Sequence, residues 1–138
     1  MKIEYANETD LNIINEYDEH ISKEELLKSI LDKRVTVAKD NDKIIAWTRY
    51  NLFWDNTPFL NMIFVLEEHR NSGIGKTLLD FWEKDMKNKN FKRVMTSTLS
   101  NETAQHIYRN LGYKDAGSLL LENEALEIIF TKKLDSVK

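Results

Sequence analysis

The sequence predicts a mixed α/β fold: a mostly antiparallel sheet with helices on both faces. Three observations carry this reading. Strand-like runs at Val35–Ala38, Ile44–Trp54 and Phe59–Val65 follow one another through short turns, as in an antiparallel meander. The third run feeds a helix through a turn holding two glycines, Gly73 and Gly75. A further strand, Arg93–Thr98, lies beyond that helix, and a helical crossover returns it parallel to Phe59–Val65.

The other elements follow in order. Ile3 and Tyr5 alternate with polar residues in a short first strand. Thr9 or Asp10 caps a helix from about Leu11, with Leu11, Ile14, Tyr17 and Ile21 on one apolar face. Ser22, with Glu25 three residues on, reads as a capping box for a second helix whose stripe is Leu26, Leu27, Ile30 and Leu31. Asp40-Asn41-Asp42 and Asp55-Asn56-Thr57-Pro58 mark the turns of the meander. Most of Trp47, Tyr50, Phe53, Trp54, Phe59 and Phe64 belong to the core or the sheet surface; one or two near strand ends are candidates for lining an acceptor site. Leu78, Leu79, Trp82 and Met86 form the buried side of the helix after the glycines, which ends near Lys89-Asn90. Ser100 or Asn101 caps another helix, which Gly112 ends, and the segment from Glu124 to Lys132 adds the last antiparallel strand.

Composition narrows the function classes. At 138 residues the chain is read as one domain, 1–138, with a core of its own. Its 41% hydrophobic and 31% charged residues are ordinary for a globular protein, and a net charge of -3 argues against a nucleic-acid partner. With no cysteine there is no disulfide, thiolate metal site or cysteine nucleophile. No long apolar run indicates a membrane span or signal peptide, so a cytoplasmic location is expected. His20, His69 and His106 show no metal-ligand spacing, and no metal is expected.

The glycine turn carries the chemistry. A strand-to-helix turn directs free backbone N–H groups at one spot, which suits a phosphate or diphosphate. Gly73 and Gly75 permit positive φ and close ligand approach. A P-loop would need a glycine where Arg70 stands, and a dinucleotide fingerprint would need one at Leu78. Arg70-Asn71-Ser72-Gly73-Ile74-Gly75 instead resembles the diphosphate loop of the Gcn5-related N-acetyltransferases (GNAT), Arg/Gln-x-x-Gly-x-Gly/Ala. Asn101, Ala104, Tyr108 and Leu111-Gly112-Tyr113 match that family's second cofactor helix, and the resemblance extends over nearly the whole chain.

The resemblance implies acetyl-coenzyme A as co-substrate and direct attack by an amine in a ternary complex. Residues Arg70, Asn71, Ser72, Gly73, Ile74, Gly75 and Lys76 would meet the diphosphate, and main-chain groups of Ile63, Phe64 and Val65 the pantetheine. Asn101 would contact the cofactor, and Tyr108 would sit beside the sulfur as general acid; the pair is expected on one helix, about two turns apart. A lysine-like amine with pKa about 10.4 is neutral in roughly one part in 2,500 at pH 7, worth about 4.6 kcal/mol, so a base or water relay is expected. Some relatives carry a glutamate where this chain has Thr96. Glu67, Glu68, His69 and Asn61 are the alternatives near the strand end, and no base is assigned. The acceptor is a primary amine of a small molecule, protein or peptide, and a homodimer through the C-terminal strands is compatible with the pattern. Two rival readings use the same residues: a non-catalytic acyl-coenzyme A sensor, motivated by Thr96, and a partner-binding module using the aromatic sheet face.

Overall fold

The computed structural model describes residues 1–135. Its strands are β1 (Lys2–Tyr5), β2 (Val35–Asp40), β3 (Lys43–Phe53), β4 (Thr57–Val65), β5 (Arg93–Leu99), β6 (Lys114–Leu119) and β7 (Glu127–Lys133). The helices are α1 (Leu11–Tyr17), α2 (Lys23–Leu31), α3 (Ile74–Asn88) and α4 (Ala104–Asn110). The seven strands form one mixed sheet in the order β1-β2-β3-β4-β5-β7-β6. The chain divides into two compact units, residues 1–51 with 61–84 and residues 52–60 with 85–138.

In the first unit the alternation along the strands fills two cores. Val35, Val37, Trp47, Met62 and Phe64 pack with Ile14, Leu26 and Ile30 from α1 and α2. Ala38, Ala46, Ile63 and Val65 pack with Ile74 and Leu78 from α3. Residues of opposite parity face opposite sides of a strand, so this part of the sheet carries helices on both faces. The β2–β3 turn forms as expected: Asn41 (φ 51) and Asp42 (φ 64) are both left-handed, the pairing of values that suits a two-residue hairpin loop.

Several local expectations need correction. Asp10 takes the N-cap place of α1, which starts at Leu11 as expected, but it makes no side-chain cap bond there; its carboxylate instead completes a capping box with Asn7 around a short 3-10 turn at Glu8–Asp10. Helix α1 then ends at Tyr17, and Ile21 lies beyond it. The cause is Asp18, which leaves helical geometry (ψ 95) with its carboxylate on Arg49, Oδ2 to Nε at 2.9 Å and Oδ1 to Nη2 at 3.3 Å. Both side chains are buried, so this charge-assisted bidentate pair fixes the joint before α2 against β3. Ser22 caps α2 through the Glu25 amide at 3.1 Å, but Leu31, expected in the buried stripe, is exposed. The second hairpin turns at Trp54 (φ 54) and Asp55 (φ 64), closed by Asn56 N–H to Phe53 O at 3.2 Å. Pro58 therefore lies inside β4, and Trp54, 80% exposed, is neither core nor sheet surface.

In the second unit β4 and β5 are parallel, with Phe59 opposite Met95 and Leu60 opposite Thr96. β7 pairs antiparallel with both β5 and β6. Helix α4 ends in a two-bond cap: Tyr113 N–H donates to Tyr108 O at 3.0 Å and Gly112 N–H to Arg109 O at 3.1 Å. The Tyr113 ring meets the Tyr108 ring edge-on, centroids 5.3 Å apart, which is the apolar contact that accompanies such a cap. Gly112 has φ 93, and a Cβ there would meet Lys132 Cε at an ordinary 3.6 Å. The cost of Gly112→Ala is therefore backbone strain, and denaturant unfolding should show a loss of about 1–2 kcal/mol.

Candidate active site

The loop between β4 and α3 has the form an anion needs. Glu67–His69 make a 3-10 turn, Ser72 Oγ donates to His69 O, and Asn71 (φ 62) and Gly73 (φ 83) are left-handed. Thr77 then closes the first helical bond, donating N–H to Gly73 O at 3.0 Å, with its hydroxyl on the same oxygen at 3.0 Å. The amides of Ile74, Gly75 and Lys76 precede that bond, so the helix supplies them no carbonyl. They sit at the positive end of α3, a helix of 15 residues. Gly73 uses the conformational freedom expected of it. Gly75 does not: it lies within the helix without positive φ, and its use is the space left by a missing side chain. A Cβ there would meet only Val65 Cγ2, at 3.7 Å.

Arg70 is placed differently from the simplest expectation. Its Nε–H donates to Val65 O at 2.9 Å and its guanidinium lies over the Phe64 ring, 5.4 Å from the centroid. The side chain thus fastens the end of β4, and Val65 O already has a donor. Ile63 and Val65 keep their side chains in one core and Phe64 in the other, so any role in binding falls to their main chain. Phe64 also stacks on Trp47 (centroids 4.8 Å, 21°), and both rings touch half-exposed Tyr17 at 5.9 Å. Lys76 and Ser72 are exposed.

In the second unit Tyr108 projects from α4 and is buried, packed by Tyr113 and by Phe130 at 5.9 Å. Burial pushes the phenol above its ordinary pKa; a hydrogen bond with Thr96 opposes that, and the negative charge of Glu102 adds to it. Tyr108 therefore stays protonated through neutral pH. Because folding raises this pKa, the stability it contributes is full below about 10 and is lost as pH rises through the folded value. Thr96 is buried, with Oγ1 donating to Leu60 O at 3.1 Å. Asn101 is exposed in the turn before α4, which begins only at Ala104, so Asn101 and Tyr108 do not share a helix. The i, i+3, i+7 spacing was misleading because residues 100–103 form a turn, held by Glu102 N–H to Leu99 O at 3.0 Å, ahead of the helix.

Among the candidate bases, Glu67 and Glu68 are exposed and His69 half-buried. Asn61 donates to Asn51 Oδ1 at 2.7 Å. Sequence reasoning passed over Thr96 as a donor to Leu60 O of β4 and Arg70 as a fastener of that strand's end. No spacing rule links residues that meet only once β4 and β5, or the loop and strand end, have folded.

The family model for the GNAT acetyltransferases matches residues 4–113. The chain belongs to this family, and with it to the acetyl-coenzyme A-dependent acyltransferases. Among solved structures it is similar to the PaiA N-acetyltransferase of Thermoplasma acidophilum in complex with coenzyme A, at 21% identity and TM-score 0.79, over 96% of this chain and 98% of that one. It is similar to the ribosomal-protein-S18-alanine N-acetyltransferase of Escherichia coli, at 18% identity and TM-score 0.79, over 99% and 96% of the two chains. A GNAT family acetyltransferase of Elizabethkingia anophelis with acetyl-coenzyme A bound gives 22% identity and TM-score 0.76, over 96% and 97%. At these identities the likeness is one of fold.

Proposed function

We propose that residues 1–138 form one N-acetyltransferase domain that passes the acetyl group of acetyl-coenzyme A to a primary amine of a small molecule, protein or peptide. The observation that carries this reading is the glycine turn, where three amides precede the first helical bond at the start of α3. A helix dipole alone gives an exposed anion about 0.3–1 kcal/mol. Charge-assisted N–H bonds, each roughly twice a neutral one, supply the rest of the hold on the diphosphate.

The amine attacks the thioester carbon in a ternary complex, the C–N bond forms and the C–S bond breaks. Tyr108, protonated at neutral pH, gives its proton to the departing thiolate. Thr96 is no base, since a hydroxyl on Leu60 O cannot take up the amine proton, and an ordered water is the simplest acceptor. The slight negative charge of the chain favours a cationic acceptor.

Calorimetric titration with acetyl-coenzyme A, followed by a thiol-release assay across an amine panel, tests the reading. Binding with release for at least one amine class is expected. Binding without turnover selects an acyl-coenzyme A sensor instead, and absence of binding removes both.

A further inference from the structure

The peptide between Val65 and Leu66, where β4 ends, is held from both sides. A trans peptide sends its C=O and its N–H in opposite directions. Leu66 N–H donates to Ile45 O of β3 at 2.9 Å, and Val65 O, facing the other way, accepts from Arg70 Nε–H at 2.9 Å. The Arg70 guanidinium also covers the Phe64 ring, 5.4 Å from its centroid, and that ring is stacked on Trp47. The segment between is closed on itself. His69 N–H donates to Leu66 O at 2.9 Å, Arg70 N–H to Glu67 O at 3.2 Å, and Ser72 Oγ to His69 O. Gly73 then turns the chain into α3, so the amides of Ile74, Gly75 and Lys76 follow a loop already fixed at its base.

We propose that Arg70 is a positioning residue for the cofactor: it fixes the Val65–Leu66 peptide and so presets the loop whose amides take the diphosphate, acting through an N–H donor and not through its charge. This rests on the reading of that loop as the diphosphate site. A loop ordered before the ligand arrives removes part of the freedom that binding would otherwise have to suppress, and affinity rises by that amount.

The rival role is direct charge pairing with the phosphates, and single atoms separate the two. An arginine has five N–H donors. Only Nε makes a hydrogen bond here; among the described residues the terminal nitrogens meet no partner. Glutamine places its Nε2 the same number of bonds from the backbone as the arginine Nε. Arg70→Gln therefore keeps a donor for Val65 O and loses the charge. Methionine places a methyl at that position, so Arg70→Met loses donor and charge together.

The test has a ligand-free arm and a binding arm. Without ligand, hydrogen exchange at the amides of Leu66 and His69 should quicken roughly three- to tenfold in Arg70→Met, the scale of one hydrogen bond. Arg70→Gln should bring it back near the wild-type rate. Calorimetric titration with acetyl-coenzyme A should give a Kd raised by a similar factor in Arg70→Met and largely recovered in Arg70→Gln. The ratio between Arg70→Gln and wild type should be the same at low and at high salt, since no exposed charge pair has been lost. Affinity as weak in Arg70→Gln as in Arg70→Met, or a ratio that closes as salt rises, assigns Arg70 to the phosphates as a charge and overturns the proposal. Unchanged exchange in Arg70→Met overturns it as well. Wild-type protein that binds no acetyl-coenzyme A, whatever the exchange shows, removes the diphosphate reading itself, which separates the two failures.

Discussion

Tyr108→Phe is expected to lower kcat by roughly two to four orders of magnitude, the range for a positioned general acid, and to leave the KM for acetyl-coenzyme A nearly unchanged. The phenol contributes a proton and little contact area, so losing its oxygen affects the step in which the thiolate departs and not the binding of the nucleotide. The packing that holds the ring is also retained: phenylalanine keeps the contacts with Tyr113 and Phe130 and the cap at Gly112. What the variant loses inside the protein is the phenol oxygen alone, and Thr96 keeps its bond to Leu60 O. Circular dichroism and unfolding should therefore match the wild type within about a kcal/mol, since one neutral hydrogen bond is worth no more than that on average. Turnover with unchanged kcat would remove Tyr108 from the mechanism.

The second large effect belongs to Gly75. Gly75→Asp should weaken acetyl-coenzyme A binding by about a hundredfold or more while leaving the fold as stable as before. Affinity falls because a carboxylate at the second helical position takes up the amides that would meet the diphosphate and repels its charge; losing two such bonds at about 1.5 kcal/mol each already accounts for two decades. Stability holds because the new Cβ meets only Val65 Cγ2 at 3.7 Å, and an acidic side chain in the first turn of a helix is favourable. Few substitutions separate ligand loss from fold loss so cleanly. Calorimetry and thermal unfolding on the same preparation measure the two, and tight binding in the variant would place the diphosphate elsewhere.

Much of this was legible in the residues because it depends on local rules. The stripe Leu78, Leu79, Trp82 and Met86 is buried as its spacing requires. Asp40-Asn41-Asp42 turns where those residues tolerate positive φ, and Gly112 ends α4 where only glycine is unstrained. The Arg70–Gly75 pattern located the loop for the same reason: Gly73 must be left-handed for the amides to turn together. What failed depended on partners distant in sequence. Helix α1 stops short because Asp18 has Arg49 to meet, 31 positions later. Arg70 folds back because the end of β4 offers it a carbonyl and an aromatic face. Thr96 was weighed only as a missing carboxylate, since nothing in a linear reading brings its hydroxyl to the carbonyl of Leu60, 36 positions earlier.

The most direct test is a crystal structure of the chain with coenzyme A. The account predicts diphosphate oxygens within about 3 Å of the amide nitrogens of Ile74, Gly75 and Lys76, with the sulfur at the Tyr108 phenol. Nucleotide density away from that loop, or a phenol with no approach to the sulfur, would contradict it.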